Sequence, residues 1–155
     1  FICVSNMNAA KYEIFSSGSD LDKWVGASAS IPGIFEPVKE KGIIYLDGGV
    51  MNNMPAQCFE DEFKTTIGVD VIPYTKLRAP DVVKTRDIAL ASIRAMQHQN
   101  SREGRDICSF LIEPLVLDKY HEFSFDRYED IYRIGYETTL EYIENNKSIL
   151  SLQKP

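Results

Sequence analysis

The chain is poor in the residues that most often announce chemistry. Its 155 residues include only three cysteines and two histidines. Cys3, Cys58 and Cys108 lie far apart and in no metal-ligand spacing. That argues against both a disulfide framework and a zinc site, and leaves buried, reduced thiols as the default. No apolar run approaches the length of a membrane span, and no signal-peptide pattern is visible. Positive charge is also scarce: 17 Lys and Arg stand against 23 Asp and Glu, a net charge of −6. Phosphate contacts need clustered Lys and Arg, so the balance argues against a nucleic-acid partner. It argues equally against simple electrostatic adsorption to an anionic membrane, though not against uptake of a lipid into an apolar cleft. Internal repeats, low-complexity runs and a linker long enough to split the chain are absent too.

What remains has the composition of a globular domain, long enough to bury a core without staples. Phe1 to Ser5 and Tyr12 to Phe15 read as two strands of a hairpin. Asp20 is placed to cap a helix from Leu21 onward, and Pro32 should end it. Gly33 to Lys41 reads as a link, Gly42 to Leu46 as a strand and Asp47-Gly48-Gly49 as a turn. Asn52 to Pro55 looks like a helix start, with the helix running from about Ala56 to about Phe63. The β-branched run Thr65 to Ile72 reads as a buried strand of a parallel sheet. Pro73 to Pro80 reads as a loop, Thr85 to about Ser101 as a helix, and Asp106 to Ile112 as a strand. Asp126 to about Asn146 reads as a long amphipathic helix, with Tyr128, Ile131, Tyr132, Gly135, Tyr136, Thr139, Leu140 and Ile143 on its apolar stripe. Strands alternating with helices give an α/β fold, with a mixed, mostly parallel sheet and helices on its faces.

The stretch from Gly26 to Ala56 holds the candidate chemistry. An apolar strand, Ile43 to Leu46, delivers Asp47 to a turn built on Gly48 and Gly49. Glycines there allow positive φ and close backbone approach. Their N–H groups can hold a carboxylate ionised. Such a carboxylate can act as a general base or activate a nucleophile. Asp-Gly is also one of the commonest turn dipeptides, so the motif alone does not distinguish a site from a turn.

The wider pattern does discriminate. Ala27-Ser28-Ala29-Ser30-Ile31-Pro32-Gly33-Ile34-Phe35-Glu36-Pro37 is followed about ten residues later by Tyr45-Leu46-Asp47-Gly48-Gly49-Val50-Met51-Asn52-Asn53-Met54-Pro55. The pair resembles two adjacent signature blocks of the patatin-like phospholipase family. The opening hairpin, the strand ending Leu111-Ile112-Glu113-Pro114, the segment with Phe123 and Phe125, and the Tyr/Gly helix resemble the later part of that catalytic domain. The resemblance covers most of the chain. It implies part of a three-layer α/β/α fold and a serine acyl hydrolase that cleaves lipid esters through a Ser–Asp dyad. Asp47 maps onto the dyad aspartate, Gly48 and Gly49 form its turn, and Ser28 and Pro32 fall in the site wall. The family pattern often has an Asp after the first strand of the hairpin, where this chain has Ser5-Asn6.

The family's nucleophile sits in a Gly-x-Ser-x-Gly elbow, and its oxyanion hole in a glycine-rich loop. The nearest match, Gly26-Ala27-Ser28-Ala29-Ser30, fails at the second glycine and follows a helical pattern, whereas an elbow is a strand-to-helix turn. Ser28 is therefore rejected as the nucleophile; it reads as part of the wall near the dyad, or as a small residue that lets helix and strand pack. The expectation is that residues 1–155 form the C-terminal portion of a single patatin-like catalytic domain, with serine and oxyanion loop upstream of Phe1. Alone it would be inactive, with an exposed sheet edge or apolar face covered by the missing half or by a second copy.

Other residues carry less. His98 and His121 could complete an α/β-hydrolase triad in the order Ser…Asp…His, but one sits in the polar run Gln97 to Asn100 and the other in a charged loop. Asp118, His121 and Glu122 make a poor metal site, and no metal or cofactor is expected. Tyr128, Tyr132 and Tyr136 read as a packing face with hydroxyls at its rim. Glu60-Asp61-Glu62 reads as a solvated face. Three functions stay open: a patatin-like lipid acyl hydrolase, an α/β-hydrolase portion with a histidine, and a non-catalytic binding or assembly domain. The first implies a lipid ester substrate, transient contact with a lipid interface, and a cytoplasmic or peripheral membrane location.

Overall fold

The computed structural model describes residues 1–18, 20–73, 84–120 and 124–152. His121, Glu122, Phe123 and most of the loop expected over Pro73 to Pro80 lie outside them. The fold is mixed α/β, but its larger sheet is antiparallel throughout. That sheet has four strands in the order β2-β1-β4-β3: β1 (Ile2–Asn6), β2 (Lys11–Phe15), β3 (Val38–Glu40) and β4 (Ile43–Asp47). Among the described residues the parallel pairing is confined to a second sheet, a pair formed by β5 (Ile67–Val69) and β6 (Phe110–Ile112). The expectation of a mostly parallel sheet is corrected accordingly.

The hairpin of β1 and β2 pairs Ile2 with Phe15 and Asn6 with Lys11. Asn6 organises its turn: Oδ1 accepts from the Ala9 N–H at 3.0 Å, and Nδ2 donates to Glu13 at 2.8 Å. Asn8 then accepts from the Ile44 N–H at 2.9 Å and ties the turn to β4. The short strand β3 falls in the segment read as a link. Its hairpin with β4 turns on Lys41 and Gly42, both at positive φ (51° and 81°). Two successive positive φ values suit the right-handed twist of a tight hairpin. The charged residues that made Val38–Glu40 look like a link sit on an edge strand, where charge deters further pairing.

Helix α1 (Leu21–Ser28) crosses this sheet and buries Trp24 and Ala27. Trp24 stacks on Phe15 with ring centroids 3.8 Å apart and meets Tyr45 edge-on at 5.0 Å. Val4, Trp24, Ala27 and Tyr45 form the core cluster, flanked by Ile2, Phe15, Val38 and Ile43. Asp20 stands at the start of α1 but its side chain caps nothing; it accepts from Lys23 instead. The helix ends at Ser28, before Pro32 can act on it.

The second half is thinner than expected. The helix anticipated from Ala56 shrinks to a 3-10 turn, Ala56–Phe59. The run from Thr65 contributes only three strand residues, and Ile67 and Val69 stay about half exposed. A buried strand needs both faces covered. Here β5 has one strand neighbour, and only Gly68 of the three is buried. Asp106 and Ile107, expected in a strand, end helix α3 (Arg102–Ile107) instead, which follows helix α2 (Thr85–Asn100). The Asp87 carboxylate accepts from the Lys84 N–H at 2.8 Å and so caps the start of α2.

Helix α4 (Tyr128–Asn145) forms where the periodicity placed it, but its inner face differs. Tyr128, Tyr132, Tyr136 and Leu140 are exposed, Tyr132 at 73%. Ile131, Ile134, Gly135, Thr138, Thr139, Tyr142 and Ile143 are half-buried, at the 3–4 residue spacing of one face. The Tyr142 hydroxyl accepts from the Leu111 N–H at 3.1 Å and docks the helix on β6. Of the expected stripe, Ile131, Gly135, Thr139 and Ile143 lie on this inner face, whereas the three tyrosines and Leu140 do not.

Candidate active site

Asp47 is the last residue of β4, directly across from Val4 of β1. Its carboxylate turns back over the 3-10 turn Gly48–Val50, and Oδ1 accepts from the Gly49 N–H at 2.7 Å. Its own N–H donates to the Ser30 carbonyl at 3.1 Å, so the segment after α1 holds one side of the residue. Ser5 holds the other. It is fully buried; its Oγ donates to the Asp47 carbonyl at 2.8 Å and accepts from the Met51 N–H at 3.1 Å. One hydroxyl thus spans the turn from entry to exit. Ser5→Ala should cost about 1 kcal/mol, because the Asp47 carbonyl loses the hydroxyl donor while the Met51 N–H keeps only its bond to the Gly48 carbonyl. A thermal melt reads that as a fall of several degrees; an unchanged Tm would show the hydroxyl is dispensable.

The two glycines serve close approach, not positive φ. Neither has a positive φ. A methyl group on Gly48 would stand 2.4 Å from the Cys3 carbonyl oxygen, so β1 can lie against the turn only if residue 48 has no side chain. A methyl group on Gly49 would stand 2.6 Å from Asn53 Oδ1, 2.7 Å from Gln97 Nε2 and 3.1 Å from Asp47 Oδ1.

Burial raises the Asp47 carboxyl above its ordinary value, and the Gly49 N–H only partly opposes this. A raised carboxyl suits a group that must accept and return a proton. It also has a stability consequence. Between the unfolded and the folded pKa, the folded chain holds a proton that the unfolded chain has released. Stability therefore falls as pH rises through that window, and the penalty stands in full at neutral pH. Asp47→Asn removes it, so the variant's Tm should gain on the wild type from strongly acidic to neutral pH. Parallel Tm curves would contradict the buried, penalised carboxylate.

The neighbouring Cys3 thiol is pushed up to about 12 by burial, then by the proximity of Cys58 and Asp47. Burial also raises Cys58 and Cys108. Thiols held in that state are poor nucleophiles, and the three are free.

The other sequence candidates are placed as follows. Ser28 ends α1 and Pro32 lies beyond it; the described contact from this block to Asp47 is made by Ser30, whose Oγ also donates to Gly26 at 2.8 Å. His98, in the last turn of α2, is not among the groups that shift the Asp47 carboxyl. It lines an open cleft of about 530 Å³ with Arg102, Arg105 and Asp106. That lining is charged and unsuited to an acyl chain. Arg105 is already engaged, forming ion pairs with the buried Asp70 and with Glu113 that join α3 to the ends of β5 and β6.

Sequence reasoning missed Ser5, Gln97 and Asn100. The polar run Gln97 to Asn100 reads as a solvated helix end, yet Asn100 Nδ2 donates to the Val50 carbonyl at 2.6 Å and Ser101 beside it is fully buried. A cluster of amides closing a helix is the signal that was available.

An acidic residue at a strand end, on a glycine turn and backed by a second helix, is the arrangement implied by the two motif blocks. The resemblance to patatin-like phospholipases is borne out: residues 9–59 match the family model described as patatin-like phospholipase. Similarity to curated relatives runs further along the chain. Lysophospholipase nte1 of Emericella nidulans is 24% identical over an alignment of 187 positions, gaps included, covering 100% of this chain and 12% of that protein. Lysophospholipase nte1 of Aspergillus terreus is 22% identical, covering 96% of the chain and 11% of that protein. Neuropathy target esterase sws of Drosophila melanogaster is 24% identical, covering 94% and 12%. The chain therefore spans about an eighth of the length of the relatives it matches.

Proposed function

We propose that these residues carry the acidic half of a lipid acyl hydrolase, and that Asp47 is its proton acceptor. The serine nucleophile and the oxyanion-hole donors come from sequence outside the 155 residues, completing one three-layer α/β/α catalytic domain. The observation that carries the reading is the Asp47 carboxylate, partly buried and raised, held by the Gly49 N–H within the segment that matches the patatin-like phospholipase model. In the reaction, the serine Oγ attacks the ester carbonyl while its proton passes to Asp47. The proton then goes to the departing alcohol oxygen. Water repeats the sequence on the acyl-enzyme, giving up its proton to Asp47, and the acid leaves as serine recovers its hydrogen.

A lysophospholipid is the substrate class to try first, on the strength of the relatives' names. Among the described residues no helix is long and apolar enough to cross a membrane. Contact of these residues with lipid would run through exposed apolar side chains such as Phe125 and Tyr132. Fatty-acid release by the full-length protein, with and without Asp47→Asn, is the test of this reading.

A further inference from the structure

Among the described residues, the Asp47 carboxylate accepts one hydrogen bond, from the Gly49 N–H to Oδ1 at 2.7 Å. That N–H belongs to the 3-10 turn Gly48–Val50, so whatever fixes the turn fixes the acid. Other segments hold the turn at both ends. At its entry, Ser5 of β1 donates to the carbonyls of Asp47 at 2.8 Å and Gly48 at 3.3 Å. At its exit, Asn100 of α2 donates from Nδ2 to the Val50 carbonyl at 2.6 Å. The donor is itself well anchored. Asn100 ends α2, and the next residue, Ser101, is fully buried. The Ser101 N–H donates to the Gln97 carbonyl at 3.0 Å, and its Oγ to the His98 carbonyl at 2.8 Å. Its own carbonyl accepts from the Arg105 N–H at 2.9 Å, and Arg105 forms ion pairs with Asp70 and Glu113.

We propose that Asn100 is a positioning residue for Asp47: by holding the Val50 carbonyl it fixes the 3-10 turn, aims the Gly49 N–H at Oδ1, and leaves Oδ2 to take the serine proton. This rests on the reading of Asp47 as the proton acceptor. The contact carries the second half of the chain, through α2 and α3, into a site whose acid comes from the first half.

The groups around Asp47 make the idea testable by pH. From β1 the titratable neighbour is the Cys3 thiol, with Cys58 of the Ala56–Phe59 turn beside it. The segment after α1 offers the neutral Ser30 carbonyl. α2 offers the neutral amide of Asn100, while its His98 lines the cleft with Arg102, Arg105 and Asp106. Burial and the Gly49 N–H are what act on the Asp47 carboxyl, and the N–H favours the ionised form. A turn that no longer aims this N–H should therefore raise the pH at which Asp47 becomes a base.

The experiment is the pH profile of kcat/KM for lysophospholipid hydrolysis by the full-length protein, with Asn100→Leu, Asn100→Ala, Ile112→Val and Asp47→Asn, each with its Tm. Asn100→Leu keeps the bulk and loses the donor. Its acidic limb should move up by about half a pH unit, and kcat should fall about tenfold with KM unchanged, as for a misaimed catalytic group. Asn100→Ala should change both in the same direction, and is read alone if the leucine variant does not fold. Ile112→Val is the control for stability: it trims a buried side chain of β6, and should lower Tm without moving the limb or kcat. If the Asn100 variants lower Tm but keep the wild-type limb and kcat, or if Ile112→Val moves both equally, Asn100 is only structural and the inference is overturned. An inactive Asp47→Asn would then leave the role of Asp47 standing. If Asp47→Asn hydrolyses normally, the underlying reading fails and this inference with it.

Discussion

Asp47→Asn in the full-length protein is expected to lower kcat/KM for ester hydrolysis by about 10³-fold, the order of a lost general base. That corresponds to roughly 4 kcal/mol of transition-state stabilisation. The substitution is nearly isosteric. Asn Oδ1 can still accept from Gly49, and the Ser5 and Ser30 contacts involve only the main chain of residue 47. The turn should keep its shape while losing its ability to take a proton. The loss should therefore appear in kcat at pH values where the wild-type Asp47 is ionised, and shrink at acidic pH, with KM little changed. The same variant should be no less stable than the wild type at neutral pH, since burial disfavours the charged carboxylate. Loss of activity with retained Tm separates a chemical role from a structural one.

Gly104→Ala should have the largest effect on stability. Gly104 is buried in α3 where that helix crosses the Ala56–Phe59 turn, and a methyl group there would lie 1.7 Å from the Met54 carbonyl oxygen. In an exposed helix, alanine would gain about 1 kcal/mol over glycine. Here the obstacle is backbone and cannot rotate away, so helix and turn must separate. The net cost should be about 3 kcal/mol, or roughly 10 °C in Tm for a chain of this size. A melt unchanged by Gly104→Ala would mean that α3 does not rest on the Met54 segment. Displacement of α3 would also disturb Asp70 and Glu113 through Arg105.

These effects depend on unequal parts of the sequence. The hairpin, α1, β4, α2 and α4 were legible because each has a clear period or turn signal. The turn at Asp47 was legible because a strand ending in Asp-Gly-Gly has few other uses. The second half was harder to read. Thr65 to Ile72 has the composition of a buried strand, but burial depends on what covers it, and composition is silent on that. The tyrosines of α4 mimic an apolar stripe because tyrosine is apolar along its length and polar at its tip; the structure turns them outward. Close approaches were invisible for another reason. That Gly48, Gly49 and Gly104 each sit against another segment is a fact of tertiary contact, and glycine spacing cannot report it. The amides of Gln97 and Asn100 looked solvated for the same reason.

The most direct measurement is the rate at which a fluorophosphonate, an ester-like reagent that traps activated serines, labels the full-length protein. If Asp47 activates the nucleophile, Asp47→Asn should slow labelling by about the same 10³-fold as kcat/KM, because both steps need the serine proton removed. Labelling at the wild-type rate in a folded Asp47→Asn protein would show that the serine is activated by another group, and would contradict the assignment of Asp47.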